Sequence, residues 1–344
     1  MSEVNSYEYS SLNFSLCEQC NTIQLATLIE LKKLYNIPHN DNIIGKTWSD
    51  HFIFFSNFIN DNCKIFKNVL EIGGASDKLL KNFDNYDEWI LLDPNSKTYN
   101  SNKISNITKF FDKDFIINKE IKTIINSHLI EHLYNPCESI KTMYNILDDE
   151  GELFISVPNM ESYALSNAPF LGIHFEHTYF LNEANLLYIF NLNNFKVINK
   201  QYFKNHSIFY HLKKYNFNLL YNIDFIKQYN ISFLELFNKN LEYYNKLVIK
   251  INSAIENKKN IFLFGCHTNT QFLIYFNLNI KNIKCILDND NSKHNKYFYG
   301  SSLLCKAPKI IENIEKPIVI CYIGIYSDEV KSQLKDINND VIFI

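Results

Sequence analysis

The chain contains no arginine; all 34 of its basic residues are lysines. A bidentate guanidinium clamp on a phosphate or carboxylate is thereby excluded. Any anion must be held by Lys, backbone N–H groups or a helix N-terminus. A basic excess is missing too: 34 basic against 37 acidic residues leave a formal charge of −3. That excludes the electrostatic footprint of a nucleic-acid binder. No run approaches the roughly 18–20 apolar residues of a membrane span. The opening MSEVNSYEYSS lacks the basic-then-apolar layout of a signal peptide. A cytoplasmic protein with no membrane and no nucleic-acid partner is expected. There is no fixed-period repeat and no G-x-G-x-x-G, so the dinucleotide fingerprint is absent. Eight cysteines in 344 residues fit free thiols better than a disulfide framework. Cys266, Cys285 and Cys321 lie in apolar runs and are expected in a core.

What is present is an alternation. A chain of 344 residues suggests about two domains, and 46% hydrophobic residues suffice for a core. KNVLEIGG, WILLDPN, IKTIINS and GELFISVPN are short apolar runs that end in turn residues, with helical stretches between them. Strands interleaved with helices predict a parallel sheet covered on both faces. A helix is expected over Ser49–Ile59, with Phe52, Phe55 and Ile59 on one face. NFKVINKQYF is expected to add a last, antiparallel pair to the sheet. Phe237, Leu241, Tyr244, Val248, Ile251 and Ile255 share a helical spacing, and Ser232 with Glu235 reads as a capping box at the start of that helix. NIFLFG, KCILD, PIVICYIG and VIFI then predict a second, smaller α/β unit. The expected division is an N-terminal segment 1–60, a first α/β domain 61–214, a helical connection 215–258 and a C-terminal α/β domain 259–344.

The strongest local signal is VLEIGGASD, Val69–Asp77. A strand ends in Glu71, and Gly73, Gly74, Ala75 and Ser76 then allow a ligand to approach the backbone. Asp93 ends the following strand, where an acid can accept from both ribose hydroxyls of an adenosine. This combination resembles class I S-adenosylmethionine-dependent methyltransferases, which implies a Rossmann-like, seven-stranded methyltransferase domain. The resemblance assigns Glu71, Gly73 and Gly74 to the methionine end of the cofactor. It assigns Asp93 to the ribose, Pro94 and Asn95 to the adenine side, and Ser127 and His128 to the far side. S-adenosylmethionine is the implied cofactor and S-adenosylhomocysteine its product.

Further motifs are similar to those of the sugar C-methyltransferase family. HFEHTYF (His174–Phe180) resembles that family's Y-H-E-H-x-x-Y-F stretch, LCEQCNTIQL its N-terminal C-x-x-C-G-x-x-Q-L. FGCHTNTQFLIYF and ILDNDNSKHNKYFYGS resemble two segments of its C-terminal domain, the latter through Asp288, Lys293 and Gly300. The resemblance runs from about Cys17 to the end. It implies catalytic roles for His177, Glu176 and His174, and an acceptor that is a sugar or sugar-linked small molecule. His51, in W-x-x-H after Trp48, His132, Asn159 and His206 are the expected substrate contacts. Histidine titrates near the working pH, so His177 suits a base and Glu176 could orient it.

The chain also departs from that pattern. The family's zinc piece has two C-x-x-C pairs, whereas only Cys17 and Cys20 occur here, so no zinc is expected. The family tyrosine is replaced by His174 and the next histidine by Phe175, which favours O-methylation over C-methylation. His128, Glu131 and His132, with His174 and His177, resemble a metal spacing but do not form H-E-x-x-H; no metal is expected. The alternatives are a nicotinamide-dependent oxidoreductase or epimerase, which would need the missing phosphate-cradling motif, and a non-catalytic methyltransferase-like partner subunit. The oligomeric state is left open.

Overall fold

A computed structural model describes residues 10–35, 45–64, 66–99, 101–166, 172–215 and 222–344. The chain forms two compact units, one of Leu12–Glu161 with Phe175–Phe233, the other chiefly of Leu234–Ile344. Part of the expected N-terminal segment, 1–9 and 36–44, lies outside the described residues. The rest holds an antiparallel hairpin, β1 (Phe14–Leu16) and β2 (Ile23–Leu25), a short helix α1 (Leu31–Leu34) and α2 (Lys46–Asn62). Helix α2 is longer at both ends than the expected Ser49–Ile59, and it buries Phe55, Phe58 and Ile59.

The sheet of the first unit is built from β3 (Val69–Ile72), β4 (Trp89–Leu92), β5 (Ile104–Ile107), β6 (Ile121–Ser127), β7 (Leu147–Pro158), β8 (Phe195–Phe203) and β9 (Ser207–Lys214). Its order is β5-β4-β3-β6-β7-β9-β8. Strands β3 to β7 pair in parallel, and β9 is antiparallel to both β7 and β8. NFKVINKQYF, expected to supply the antiparallel pair, forms β8 alone; its partner β9 lies in the residues that follow. Burial on both faces explains the unbroken apolar runs of β3 and β4. Leu70, Ile72, Ile90 and Leu92 fill one core; Val69, Trp89 and Leu91 fill another with Phe55, Phe58 and Ile59 of α2. Helix α3 (Pro136–Ile146) starts on Asn135, whose side chain accepts the Glu138 N–H, with Pro136 in its first turn. A short α4 (Met160–Leu165) follows β7. Helix α5 (Glu183–Leu192) opens on a reciprocal Asn182–Asn185 cap.

Helix α6 runs over Ile223–Ile255, so the expected capping box at Ser232 and Glu235 is a correction: both residues lie inside the helix. The buried stripe continues upstream through Phe233, Asn230 and Ile226. Asn230, a polar residue on the buried face, hides that continuation from an apolar count. The second unit contains a parallel sheet of order β12-β11-β10-β13-β14. Its strands are β10 (Ile261–Phe264), β11 (Ile283–Leu287), β12 (Cys305–Lys306), β13 (Ile318–Ile320) and β14 (Ile342–Phe343), with helices α7 (Thr268–Tyr275) and α8 (Ser327–Ile337). Cys266, Cys285 and Cys321 are buried free thiols, as is Cys305.

One buried charge couples this fold to pH. Glu152 of β7 has a fully buried side chain, 2.9 Å from Lys213 Nζ and 3.5 Å from His211 Nε2. Its Oε2 accepts the Lys64 N–H at 2.8 Å. Burial opposes the charge, but His211, Lys213 and the Lys64 N–H outweigh it and lower the carboxyl to about 2. A depressed carboxyl stabilises the fold above its unfolded value of 4.5 and loses that contribution as pH falls toward 2. Thermal melts of Glu152→Gln should therefore lose much of the wild-type decline across that window. A parallel decline in both proteins would show that Glu152 does not carry it.

Candidate active site

The chain leaves β3, builds β4 and β5 on one side, and returns to the other side of β3 for β6. The strand order thus reverses between β3 and β6, and ligands of open α/β sheets bind outside the carboxyl ends of the strands at such a point. The glycine turn lies there. Gly73 is exposed, with a φ of 83°, a left-handed conformation that favours glycine. A Cβ at Gly74 would come within 2.8 Å of Leu91 and 2.9 Å of Glu71, so the turn is closely packed beneath. Two backbone bonds tie it to the loop after β4: Gly73 N–H to Leu92 O at 2.8 Å, and Lys97 N–H to Ala75 O at 3.1 Å. Asp93, Pro94 and Asn95 are half-buried in that second loop, and Asp93 Oδ1 accepts the Asn95 N–H at 2.7 Å. On the β6 side, a Cβ at Gly73 would lie 3.3 Å from Leu129. A glycine bend and an oriented carboxylate therefore lie side by side at the carboxyl ends of β3 and β4. That fits an adenosine held by Asp93 and an amino-acid tail passing Gly73 and Gly74.

Glu71 lies under this turn. It falls on the face of Val69, Trp89 and Leu91, and Trp89 Nε1–H donates to its Oε2 at 2.8 Å. Burial raises its carboxyl to about 8, against the Trp89 bond. Between pH 4.5 and 8 the unfolded chain releases this proton while the folded chain keeps it, so stability falls as pH rises. Glu71→Gln removes the titration. Its melting temperature relative to wild type should rise from pH 5 to pH 8, and a pH-independent difference would contradict the assignment.

Beyond β6 the predicted histidines divide into two groups. The first joins His51 of α2, His128 after β6 and His206 of the β8–β9 turn. His51 Nε2 meets Ser156 Oγ at 2.9 Å, and Ser207 Oγ lies 2.8 Å from His128 Nε2 and 2.6 Å from His206 Nδ1. A hydroxyl has one proton, so Ser207 can donate to only one of its two histidines. Burial holds His51 well below the usual imidazole range, with His128 and His206 adding to it. Burial likewise lowers His128 to about 3 and His206, which His128 and Lys204 also depress, to about 2. All three imidazoles are neutral at physiological pH. Asn159 is buried beside them and donates its N–H to His206 O at 2.9 Å.

The second group is Glu131, His132 and His177. The HFEH segment is pinned here because Thr178 donates its N–H to Glu131 O at 2.9 Å and its hydroxyl to Leu133 O at 2.7 Å. The His132 and His177 rings stand edge to face at 4.9 Å. His132 Nδ1 meets Tyr35 Oη at 3.2 Å and lies 3.9 Å from Glu176 Oε2. Glu131 is buried with neither carboxyl oxygen hydrogen-bonded, and burial raises it to about 7, partly offset by His132.

Ser127 is half-buried at the end of β6. His174 ends the segment Ser162–His174, which belongs to the other unit. The histidines weighed for a metal are thus not one set among the described residues: His128 groups with His51 and His206, His132 with His177. Cys17 and Cys20 occupy the β1–β2 turn, where Cys20 Sγ lies 3.0 Å from Thr22 Oγ1. Sequence reasoning missed Ser156, Tyr35 and the place of Glu131 between the two groups, its Oε1 3.4 Å from His128 Nδ1 and 3.8 Å from His132 Nε2. Ser156 is a polar interruption in FISVP, the one signal that could have marked it.

Residues 46–200 match the model of a methyltransferase domain family. The sheet order, the antiparallel edge pair and the glycine turn agree with the Rossmann-like methyltransferase fold expected from the sequence, and the chain contains a methyltransferase domain. No curated protein matches the chain in sequence. Among solved structures it is similar to an S-adenosylmethionine-dependent methyltransferase from Clostridium acetobutylicum, at 13% identity and a TM-score of 0.38, over 54% of this chain and 97% of that one. It is also similar to the N-methyltransferase NodS from Bradyrhizobium japonicum in complex with S-adenosyl-L-homocysteine, at 11% identity and a TM-score of 0.38, over 51% of this chain and 89% of that one. No helix among the described residues is long and apolar enough to cross a membrane.

Proposed function

We propose that the protein binds S-adenosylmethionine as its cofactor and transfers its methyl group to a hydroxyl of a sugar, a nucleotide-linked sugar or a small phosphorylated group of a polysaccharide pathway. The polar cluster beside the carboxyl end of β6 carries this reading. Half-buried His128, backed by the buried His51, His206, Ser156 and Ser207, offers hydrogen bonding without adding charge, which suits a polyhydroxylated acceptor. Gly73, Gly74, Asp93, Pro94, Asn95 and Ser127 form the cofactor side, with Glu71 supporting the turn from below. The sulfonium methyl is already activated, so the protein must align it with the acceptor oxygen. A sugar hydroxyl is a poor nucleophile at neutral pH, and His177 takes its proton while Glu176 and His132 orient the imidazole. The changed tyrosine position at His174 favours oxygen over carbon as the acceptor atom.

Incubation with isotopically labelled S-adenosylmethionine and a panel of nucleotide sugars tests this, with the product's methyl carbon assigned by NMR. An O-methyl signal is expected. A C-methyl product would overturn the choice of atom. Failure to bind S-adenosylhomocysteine in calorimetry would overturn the whole reading.

A further inference from the structure

Three imidazoles from three separate elements converge beside the carboxyl ends of β6 and β7. The ring centroids of His51, His128 and His206 are 5.2, 5.3 and 5.5 Å apart. One ring nitrogen from each lies within 4.8 Å of the other two. Trp48 packs edge-on against all three, at 4.6, 4.9 and 5.2 Å. His51 is 0% exposed and His206 1%, and burying polar rings costs free energy unless each nitrogen is satisfied. Ser156 and Ser207 satisfy some of these nitrogens. His51 Nδ1 is buried without a partner.

The backbone shows the same preference for this arrangement over an easier one. His128 takes a φ of 50°. That left-handed conformation is unfavourable for a non-glycine residue and persists where the surroundings hold it, often at functional sites. His128 Nδ1 faces the buried Glu131 carboxylate at 3.4 Å, and a metal-bound histidine commonly sets its second ring nitrogen on such an outer carboxylate.

We propose that His51, His128 and His206 hold one divalent ion of borderline softness, such as Zn2+ or Co2+. Three nitrogen donors suit these ions and not Mg2+ or Ca2+, which prefer oxygen. Three histidines also leave a coordination position open. Ligand nitrogens on a tetrahedral ion stand about 3.3 Å apart, so side-chain rotation must draw the rings in from the present spacing. The open position would take an acceptor oxygen, where the ion lowers the pKa of a bound hydroxyl. That last role rests on the proposed function; the binding of the ion does not.

The test uses the full chain carrying Cys17→Ser and Cys20→Ser, so that thiolates do not compete. Metal-free protein is titrated with Co2+ and followed by visible absorption and calorimetry. One equivalent is expected, with ligand-field bands of nitrogen and oxygen ligation and no sulfur charge-transfer band. His51→Ala and His206→Asn should each weaken Zn2+ binding by about 100-fold or more, at least matching the loss of an outer-shell partner. S-adenosylhomocysteine binding, which uses Gly73 and Asp93, reports whether each variant is folded. His132→Ala should leave Zn2+ affinity unchanged. The proposal is overturned if the parent binds no stoichiometric ion, if a folded His51 or His206 variant binds as the parent does, or if His132→Ala abolishes binding. A protein that binds S-adenosylhomocysteine but takes up no ion would sink this inference alone, whereas absent S-adenosylhomocysteine binding would sink the functional reading.

Discussion

Asp93→Ala is expected to weaken S-adenosylhomocysteine binding by about 10–100-fold, or roughly 1.5–3 kcal/mol for hydrogen bonds to a charged group. The size follows from placement. Strand β4 is fully buried and pairs in register with β3, Leu92 opposite Ile72, so Asp93 follows level with Gly73. The Asn95 N–H on Oδ1 fixes the carboxylate before any ligand arrives, so little ordering cost falls on binding. The alanine also leaves the Asn95 N–H without its partner, and part of the loss would come from the loop. Asp93→Asn separates the two effects. It keeps an acceptor for Asn95 but loses the charge, so its affinity should fall between wild type and the alanine variant. Isothermal titration measures all three, and an unchanged affinity in Asp93→Ala would remove this residue from the cofactor site.

His177→Ala should reduce turnover by about 100- to 10,000-fold, the usual worth of a positioned general base. Cofactor affinity should stay close to wild type, because His177 belongs to the Glu131–His132 group and not to the loops after β3 and β4. The imidazole is buried, packed edge to face on His132, and its neighbour Thr178 is tied by two bonds to the β6 loop. Its position is therefore set by the fold. Single-turnover rates with saturating cofactor provide the measurement. A loss of less than tenfold would move the base elsewhere, with Glu131 the next residue to test, since its buried carboxyl has no hydrogen-bond partner.

Much of the fold was legible because parallel strands leave a strong mark. VLEI and WILL are buried on both faces and read as unbroken apolar runs. Strand β5, with the sequence ISNI, is half-buried at the sheet edge and gives no such run. Strand β12 has two residues, too few for any period to register. Helix α6 was found by its apolar spacing, but its start was misplaced because Asn230 occupies the buried face.

The sequence by itself determined the two α/β units, the glycine bend after β3 and the acid after β4. These are local: each is written in a few consecutive residues whose backbone preferences and apolar pattern act before the chain has folded. Only the tertiary structure decided how the histidines group. The sequence placed His128 beside His132, yet the turn at φ 50° sends one to His51 and His206 and leaves the other with His177. That separation depends on α2 packing over the sheet and on the register of β7 with β9, which brings Pro158 opposite Ser207. Contacts between residues so distant in the chain arise from packing, and a one-dimensional pattern carries no record of them.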